Sequence, residues 1–384
     1  MEFLPLFLVL LAGVLFSALG RRFHLPWVIA LVSAGIFFGP HGLGVLEANP
    51  TIEFIGQIGL IFLMFMAGLE TKLSSFAHVR SGFVPIAFLN GLVPFAAGFG
   101  MGFFFGYDFF TSLILGTVFI SSSIAVVIPT LEGRGMLGTK LGKSIVSAVI
   151  IEDILSLILL SILLQTAVPV TSLPLPLFYG LLFAVFVALR FLLPLLRAFF
   201  SPRRSGGEED IFQQEVTVIF AILIGTVVSF ELLGLHPIVA GFFAGLVLSG
   251  SIKSDILVEK LHTISYGLFI PVFFIFIGLN TDLSVLREGG ELTLLLFVVL
   301  GSILAKYISG YIGARLGKFT KRESSIVGVA TIPQLSTTLA VVFAAVEFGL
   351  LERELLTAFI VLSIVTTFAA PVALRLLTKP TAAH

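Results

Sequence analysis

Ser147-Ala148-Val149-Ile150-Ile151-Glu152-Asp153-Ile154-Leu155 sets two acids side by side in the middle of an apolar run that extends over 139–165. A charged side chain at bilayer depth is expensive and persists mainly where it does work. The run is long enough to cross about 30 Å of hydrocarbon. It therefore reads as a membrane span with a functional pair at its centre.

The rest of the chain agrees. Of 384 residues, 58% are hydrophobic and 11% are charged, against about 25% charged in a soluble chain. The mean hydropathy is +1.14. No water-soluble fold hides that much apolar surface, so lipid is the solvent. The formal net charge is zero, which argues against a nucleic-acid partner. The chain has no cysteine, so disulfides, thiolate metal sites and a cysteine nucleophile are excluded. The first apolar run starts acidic, at Met1-Glu2, and is followed by Arg21 and Arg22; it reads as a retained helix, not a signal peptide.

Thirteen spans are expected, at 3–20, 25–44, 52–70, 82–106, 110–132, 139–165, 173–200, 211–234, 236–250, 264–283, 291–317, 321–348 and 353–378. The basic residues test this count. Of 22 Lys and Arg, eighteen fall in the loops after the odd-numbered spans, in the span ends that border those loops, or in the C-terminal tail. Only Arg287 and Arg353 fall in the other loops, and Arg190 and Lys306 lie within spans. The positive-inside rule then puts the N-terminus outside and the C-terminus in the cytoplasm. The chain, 1–384, reads as a single transmembrane domain; after the last span it runs only to His384, so no C-terminal nucleotide-binding domain is expected.

The two halves resemble each other. Gly68-Leu69-Glu70-Thr71-Lys72-Leu73-Ser74 returns as Gly278-Leu279-Asn280-Thr281-Asp282-Leu283-Ser284, Leu25-Pro26-Trp27-Val28 as His236-Pro237-Ile238-Val239, and Ser121-Ser122-Ser123-Ile124-Ala125-Val126-Val127 as Ser336-Thr337-Thr338-Leu339-Ala340-Val341-Val342. Each match lies seven spans on, so corresponding helices cross in opposite senses. That is an inverted-topology repeat, with 1–165 and 211–378 as repeats and 173–200 as linker.

Ser121, Ser122 and Ser123 fall near mid-span, and so does a second polar stretch, Thr331-Ile332-Pro333-Gln334-Leu335-Ser336. Pro333 removes a donor and breaks helix geometry. Broken helices at the midplane expose carbonyls beside half-helix dipoles, and carbonyls and hydroxyls suit hard monovalent cations. Alone, these stretches read as a kink with self-bonded hydroxyls; beside a buried carboxylate pair they read as a binding site. Burial disfavours the charged form of Asp153, so it can hold a proton or a cation, and that competition suffices for exchange. Glu152 points about 100° away on the helix. Lys306 needs a counter-charge, and a Glu152–Lys306 ion pair is expected. Arg190 lies near a span end, where its stem can snorkel. Enzyme chemistry fails on inventory: no second mid-membrane aspartate exists, and every histidine lies near a span end.

Gly39-Pro40, Gly68-Leu69-Glu70-Thr71, the serines of the fifth span, Ser147 to Leu155, and Ala305-Lys306-Tyr307-Ile308-Ser309-Gly310 together resemble the second branch of the monovalent cation:proton antiporters, over essentially the whole chain. The resemblance implies an all-α polytopic membrane protein of 13 transmembrane helices, with two crossed discontinuous helices at the midplane. It implies a homodimer in the plasma or inner membrane. A core of about 82–165 and 291–378 would move, elevator-like, against a dimer scaffold made of the rest. Asp153 resembles the residue that binds the ion, here Na+ or Li+ in exchange for H+, and Ser122, Ser123 and Thr331 stand beside it. Glu152 resembles the acidic partner that electrogenic members pair with a lysine, here Lys306. Those members usually show two aspartates, where this chain has Glu152-Asp153, and many relatives have Arg-Gly-Glu where this chain has Gln334-Leu335-Ser336. Electrogenic Na+/H+ exchange without a cofactor is the leading expectation. K+/H+ exchange on the same scaffold is the alternative, and an organic-anion symporter is a third.

Overall fold

The computed structural model describes residues 3–22, 26–70, 82–167, 208–233 and 236–378 except 251, 253 and 285–288, with isolated positions between 174 and 195. Among the described residues all regular structure is helical. The first half holds α1 (Leu4–Arg22), α2 (Trp27–Phe38), α3 (Pro50–Glu70), α4 (Val84–Phe104), α5 (Phe109–Ile120), α6 (Ile124–Glu132) and α7 (Lys140–Ala167). The second holds α8 (Glu208–Leu232), α9 (Pro237–Ser249), α10 (Asp255–Ile264), α11 (Ile270–Leu279), α12 (Gly289–Leu316), α13 (Lys321–Ala330), α14 (Ser336–Glu347) and α15 (Arg353–Leu377). Twelve of the thirteen expected spans fall on these helices; the linker span 173–200 lies for the most part outside the described residues, and Arg190 wholly so. Nine described helices or broken helices are long and apolar enough to cross a membrane.

Two spans are broken where the sequence places the polar stretches. α5 gives way to α6 across Ser121–Ser123, and α13 to α14 across 331–335. Local chemistry fixes the outer limits of both. Asp108 caps α5 by accepting from the Phe110 and Thr111 amides, and the Thr111 hydroxyl chiefly holds its carboxyl below the usual carboxylate range. Thr320 and Glu323 form a reciprocal capping box on α13.

One boundary differs from expectation. The tenth span begins at Asp255, not at 264, and α10 runs through a π turn at Ser265–Phe269 into α11. Its charges make 253–260 look like a loop. Residues 255–264 instead form an amphipathic stretch of helix, capped by the Ser254 hydroxyl on the Leu257 amide, with Leu257 and Leu261 buried.

The repeat is written in the packing. A Cβ on Gly35 would run into the Ile275 carbonyl and the Leu279 amide; one on Gly245 would run into the Phe65 carbonyl and the Leu69 amide. A Cβ on Gly278 would meet Val32 and Ile36, and one on Gly68 would meet Phe242 and Leu246. Each member of the first contact maps onto the second by the offset of 210 that separates Gly68 from Gly278. The α2–α11 and α3–α9 crossings are thus the same contact made twice, with glycine letting backbones touch.

The helices pack in two groups. α1, α2, α3, α9 and α11 lie against one another, and α4, α5, α7, α12, α13 and α15 do likewise. Gly245→Ala and Gly278→Ala force backbone apart, at an expected cost of ~1–3 kcal/mol or more. Both should lower the melting temperature in detergent. Gly301→Ala, where a Cβ meets open space, should leave it unchanged or raise it.

Candidate functional site

α5 and α13 both stop inside the protein, and each leaves orphan carbonyls that lipid cannot satisfy. The two breaks solve this for each other. The Ser123 amide donates to the Pro333 carbonyl at 2.6 Å, and the Ser122 hydroxyl lies 2.8 Å from the Thr331 carbonyl. The Ser121 and Thr338 hydroxyls meet at 2.5 Å. The Gln334 side chain donates through Nε2 to the Phe119 carbonyl at 3.1 Å, and its backbone amide donates to Thr366 Oγ1 at 3.2 Å.

The charges sit on this crossing. Lys306 of α12 and Glu152 of α7 are both 0% exposed, with Nζ 2.8 Å from Oε2. The ammonium also donates to Ser122 Oγ at 2.9 Å and to the Ile120 carbonyl, the last of α5. Its three protons are all used. Glu152 Oε2 takes the ammonium and, at 2.7 Å, the Ser122 hydroxyl. The expected Glu152–Lys306 pair is present, and it is closed on itself through Ser122.

Asp153 is left over. It is 4% exposed, and the Thr337 hydroxyl and the Ser122 amide approach its carboxyl. Its Oδ1 has no hydrogen-bond partner, nor have Glu152 Oε1 and Ser123 Oγ, all three buried. Buried oxygens are nearly always bonded, so each such orphan calls for an explanation. These three belong to the helix that carries the acids and to the break beside it. An all-oxygen set with one uncompensated carboxyl suits a proton or a hard monovalent cation.

The other expected residues take less central places. Thr331 contributes through its carbonyl; its hydroxyl turns back to the Val327 carbonyl at 3.1 Å. Pro333 contributes only its carbonyl. Ser336 opens α14, half-buried. Sequence reasoning missed Thr337, Ser302, Thr366 and Asn90. Ser302 Oγ donates to Gln334 Oε1 at 3.2 Å, and Asn90 Oδ1 accepts from the Ser309 hydroxyl while its Nδ2 has no partner. The cost rule that singled out the charges applies to a buried amide such as Asn90 as well, and would have found it.

Similarity to known proteins meets this geometry. The model of the transmembrane sodium/hydrogen exchanger family matches residues 6–379. The chain belongs to that family, in keeping with its resemblance to the monovalent cation:proton antiporters. It is 30% identical to a probable Na+/H+ antiporter of Methanocaldococcus jannaschii, over 92% of this chain and 91% of that one. It is 29% identical to a Na+/H+ antiporter of Enterococcus hirae, with 99% of each covered, and 28% identical to the Na+/H+-K+ antiporter GerN of Bacillus cereus, with 97% and 95% covered. Its fold matches the sodium/proton antiporter MjNhaP1 of M. jannaschii with a TM-score of 0.70 at 17% identity, over 98% of each chain. The protein is thus a multi-pass membrane transporter of the cation:proton antiport class.

Removing one member of a buried pair strands the other, at ~3–5 kcal/mol. Lys306→Met should therefore destabilise the protein by about that much. Lys306→Met with Glu152→Met should recover most of it. Denaturant titration of the four proteins measures the coupling.

Proposed function

We propose that the chain exchanges Na+ for H+ at Asp153. The observation that carries this reading is a buried carboxyl with a free oxygen beside an acid already neutralised by lysine. A proton and a cation compete for that carboxyl, so binding one expels the other. Ser123 Oγ and Thr337 Oγ1 are the neighbouring neutral ligands, and Ser122 links the ion site to the lysine pair. Potassium is the second reading, favoured by the name that GerN carries.

Exchange is electrogenic in this reading. A cation that draws Glu152 as well as Asp153 takes the counter-charge from Lys306, which sheds its proton. The return step then carries two protons, one on Asp153 and one on Lys306. The second helix group, residues 82–165 and 291–378, is the moving core, and the rest is the scaffold of a homodimer in the cell membrane. Support for this division comes from where backbones touch: Gly98 meets Leu115, Gly313 meets Ile86 and Gly310 meets Gly328, all inside the core, while Gly35, Gly68, Gly245 and Gly278 meet partners inside the scaffold. Between the groups lie side chains that can slide, such as Phe343 against Phe273 and Phe276. The charge bias of the loops supports an external N-terminus and a cytoplasmic C-terminus.

That orientation puts Glu347, at the end of α14, on the outer face. It accepts from Gln57 Nε2 at 3.1 Å and lies 3.5 Å from His236 Nε2, both on the scaffold side. These contacts hold the core at its outer edge beside a 700 Å³ cavity that also reaches Glu231 and Leu164.

Proteoliposomes loaded with a pH dye test the assignment. Na+ should dissipate an imposed pH gradient, and titration with Na+, Li+ and K+ ranks the ions. Asp153→Asn should reduce exchange to the empty-liposome rate; full exchange by that variant would sink the reading. Lys306→Gln with Glu152→Gln should abolish the transport current while leaving exchange measurable, and an undiminished current would remove the electrogenic step.

Glu347→Ala should favour the outward-open state. The chain has no cysteine, so Leu164→Cys reports on it directly. Labelling from outside should rise about three- to ten-fold when Glu347 is replaced, the range expected for loss of about 1 kcal/mol of exposed polar contacts.

A further inference from the structure

Two features of the crossing bear on a residue to which exchange at Asp153 assigns no part. Phe119 and Ile120 are consecutive, and their carbonyls are the last two of α5. Ile120 O is taken by the Lys306 ammonium and Phe119 O by Gln334 Nε2. Ser302 lies one helical turn before Lys306 on α12, so the two share a face. Ser302 holds Gln334 Oε1 at 3.2 Å. This bond fixes which way the amide points, because a hydroxyl donating to Oε1 leaves Nε2 for the Phe119 carbonyl.

The end of α5 is therefore held twice from one face of α12: once by a charge directly, once by a neutral relay. The two holds behave differently in the cycle proposed above. When its proton leaves, Lys306 keeps two N–H donors for Ile120 O, Ser122 Oγ and Glu152 Oε2, so it gives up one of the three contacts and loses the charge that strengthened the others. Gln334 carries no charge and has no reason to move: its backbone amide is tied to Thr366, its Oε1 to Ser302, and the side chain is 0% exposed. We infer that Gln334 is the positioning residue of the ion site. It keeps the carbonyl end of α5, and with it Ser122 and Ser123, in place while the hold of Lys306 is weakened, so that the cation meets a preformed ligand set. Without it the orphan Phe119 carbonyl has no donor, and the break is free to rearrange as the lysine loses its charge.

The inference rests on exchange at Asp153, and the test separates the two. Wild-type protein is first profiled with Na+, Li+ and K+, and the ion it exchanges is the probe. KM and Vmax are measured in proteoliposomes across pH, and the cation concentration for half-maximal thermal stabilisation is measured in detergent. Gln334→Met, which can neither donate nor accept, should raise KM about ten-fold at every pH, roughly the worth of one net hydrogen bond, with a smaller change in Vmax. Gln334→Glu is the diagnostic variant. Its protonated carboxyl can still donate to Phe119 O and accept from Ser302, but its carboxylate cannot donate. The charged groups at the crossing are Lys306 on α12 and Glu152 and Asp153 on α7. Gln334→Glu should match wild type at the acid end of the profile and approach the Gln334→Met KM at the alkaline end, each compared with wild type at the same pH. The same preparation passes from working to impaired, so misfolding cannot explain the result. A Gln334→Glu profile parallel to wild type, an equal rise in KM at all pH values, or a Gln334→Met KM equal to wild type would each overturn the inference. Full exchange by Asp153→Asn would overturn the ion-site assignment itself.

Discussion

Two helices end in the middle of the protein, and the structure is organised around making that tolerable. A helix that stops in water hands its last carbonyls to solvent. In hydrocarbon, each group left bare costs several kcal/mol. The described residues show the two breaks placed against each other so that one supplies what the other lacks: Ser123 donates to Pro333, Ser122 reaches Thr331 and Gln334 reaches Phe119. Neither break would be stable alone. Their mutual dependence explains why both sequence stretches are polar and why they fall at the same depth of the repeat.

Lys306 follows from that constraint. The terminal carbonyl of α5 carries the negative end of a helix dipole, and an ammonium answers it better than a neutral donor. A cation at 0% exposure then requires an anion, which Glu152 supplies at 2.8 Å. Once that pair is closed, the adjacent acid has no cation of its own. Asp153 is thus left incomplete by an arrangement whose other members are satisfied. In the exchange proposed above, that incompleteness is the useful property, because a fully bonded carboxylate would have nothing to exchange.

Much of this was legible in the residues. Hydropathy and the loop charges placed twelve spans that the described helices match, and the need for a counter-charge paired Glu152 with Lys306. The repeat was visible as Gly68-Leu69 against Gly278-Leu279, although its physical content, reciprocal backbone contact at the glycines, was not. Pro333 marked one break. The other has no proline, and Ser121–Ser123 leave the helix because the opposite strand of the crossing offers partners, a fact no local pattern contains. Thr337, Ser302 and Thr366 escaped notice for a similar reason. A single hydroxyl in an apolar helix satisfies itself on the carbonyl four residues back, as the Thr366 hydroxyl does with Leu362, so its second role appears only when the neighbouring helix is in place. The helical stretch at 255–264 was hidden by the charges in its sequence, of which Glu259 is exposed.

The distribution of glycine separates what must stay fixed from what is free to move. Where a Cβ would strike backbone, two helices are locked at a separation no side chain can change. Among the described residues these locks fall within one helix group or the other: Gly35 on α11 and Gly245 on α3 in the first, Gly98 on α5 and Gly313 on α4 in the second. Phe343, by contrast, presents an edge to Phe273 and Phe276 with ring centroids 6.0 and 5.6 Å apart. Edge contacts between rings lose little when they slide. A relative displacement of the two groups would therefore leave these backbone locks intact, at the cost of ring contacts and of the few polar contacts between the groups, such as Glu347 with Gln57 and Thr357 with Asp282. The acids, the lysine and both breaks all lie in the second group and would travel together. In the exchange cycle proposed above, the ion site would not need to be rebuilt at each turn, because the elements that define it would not part.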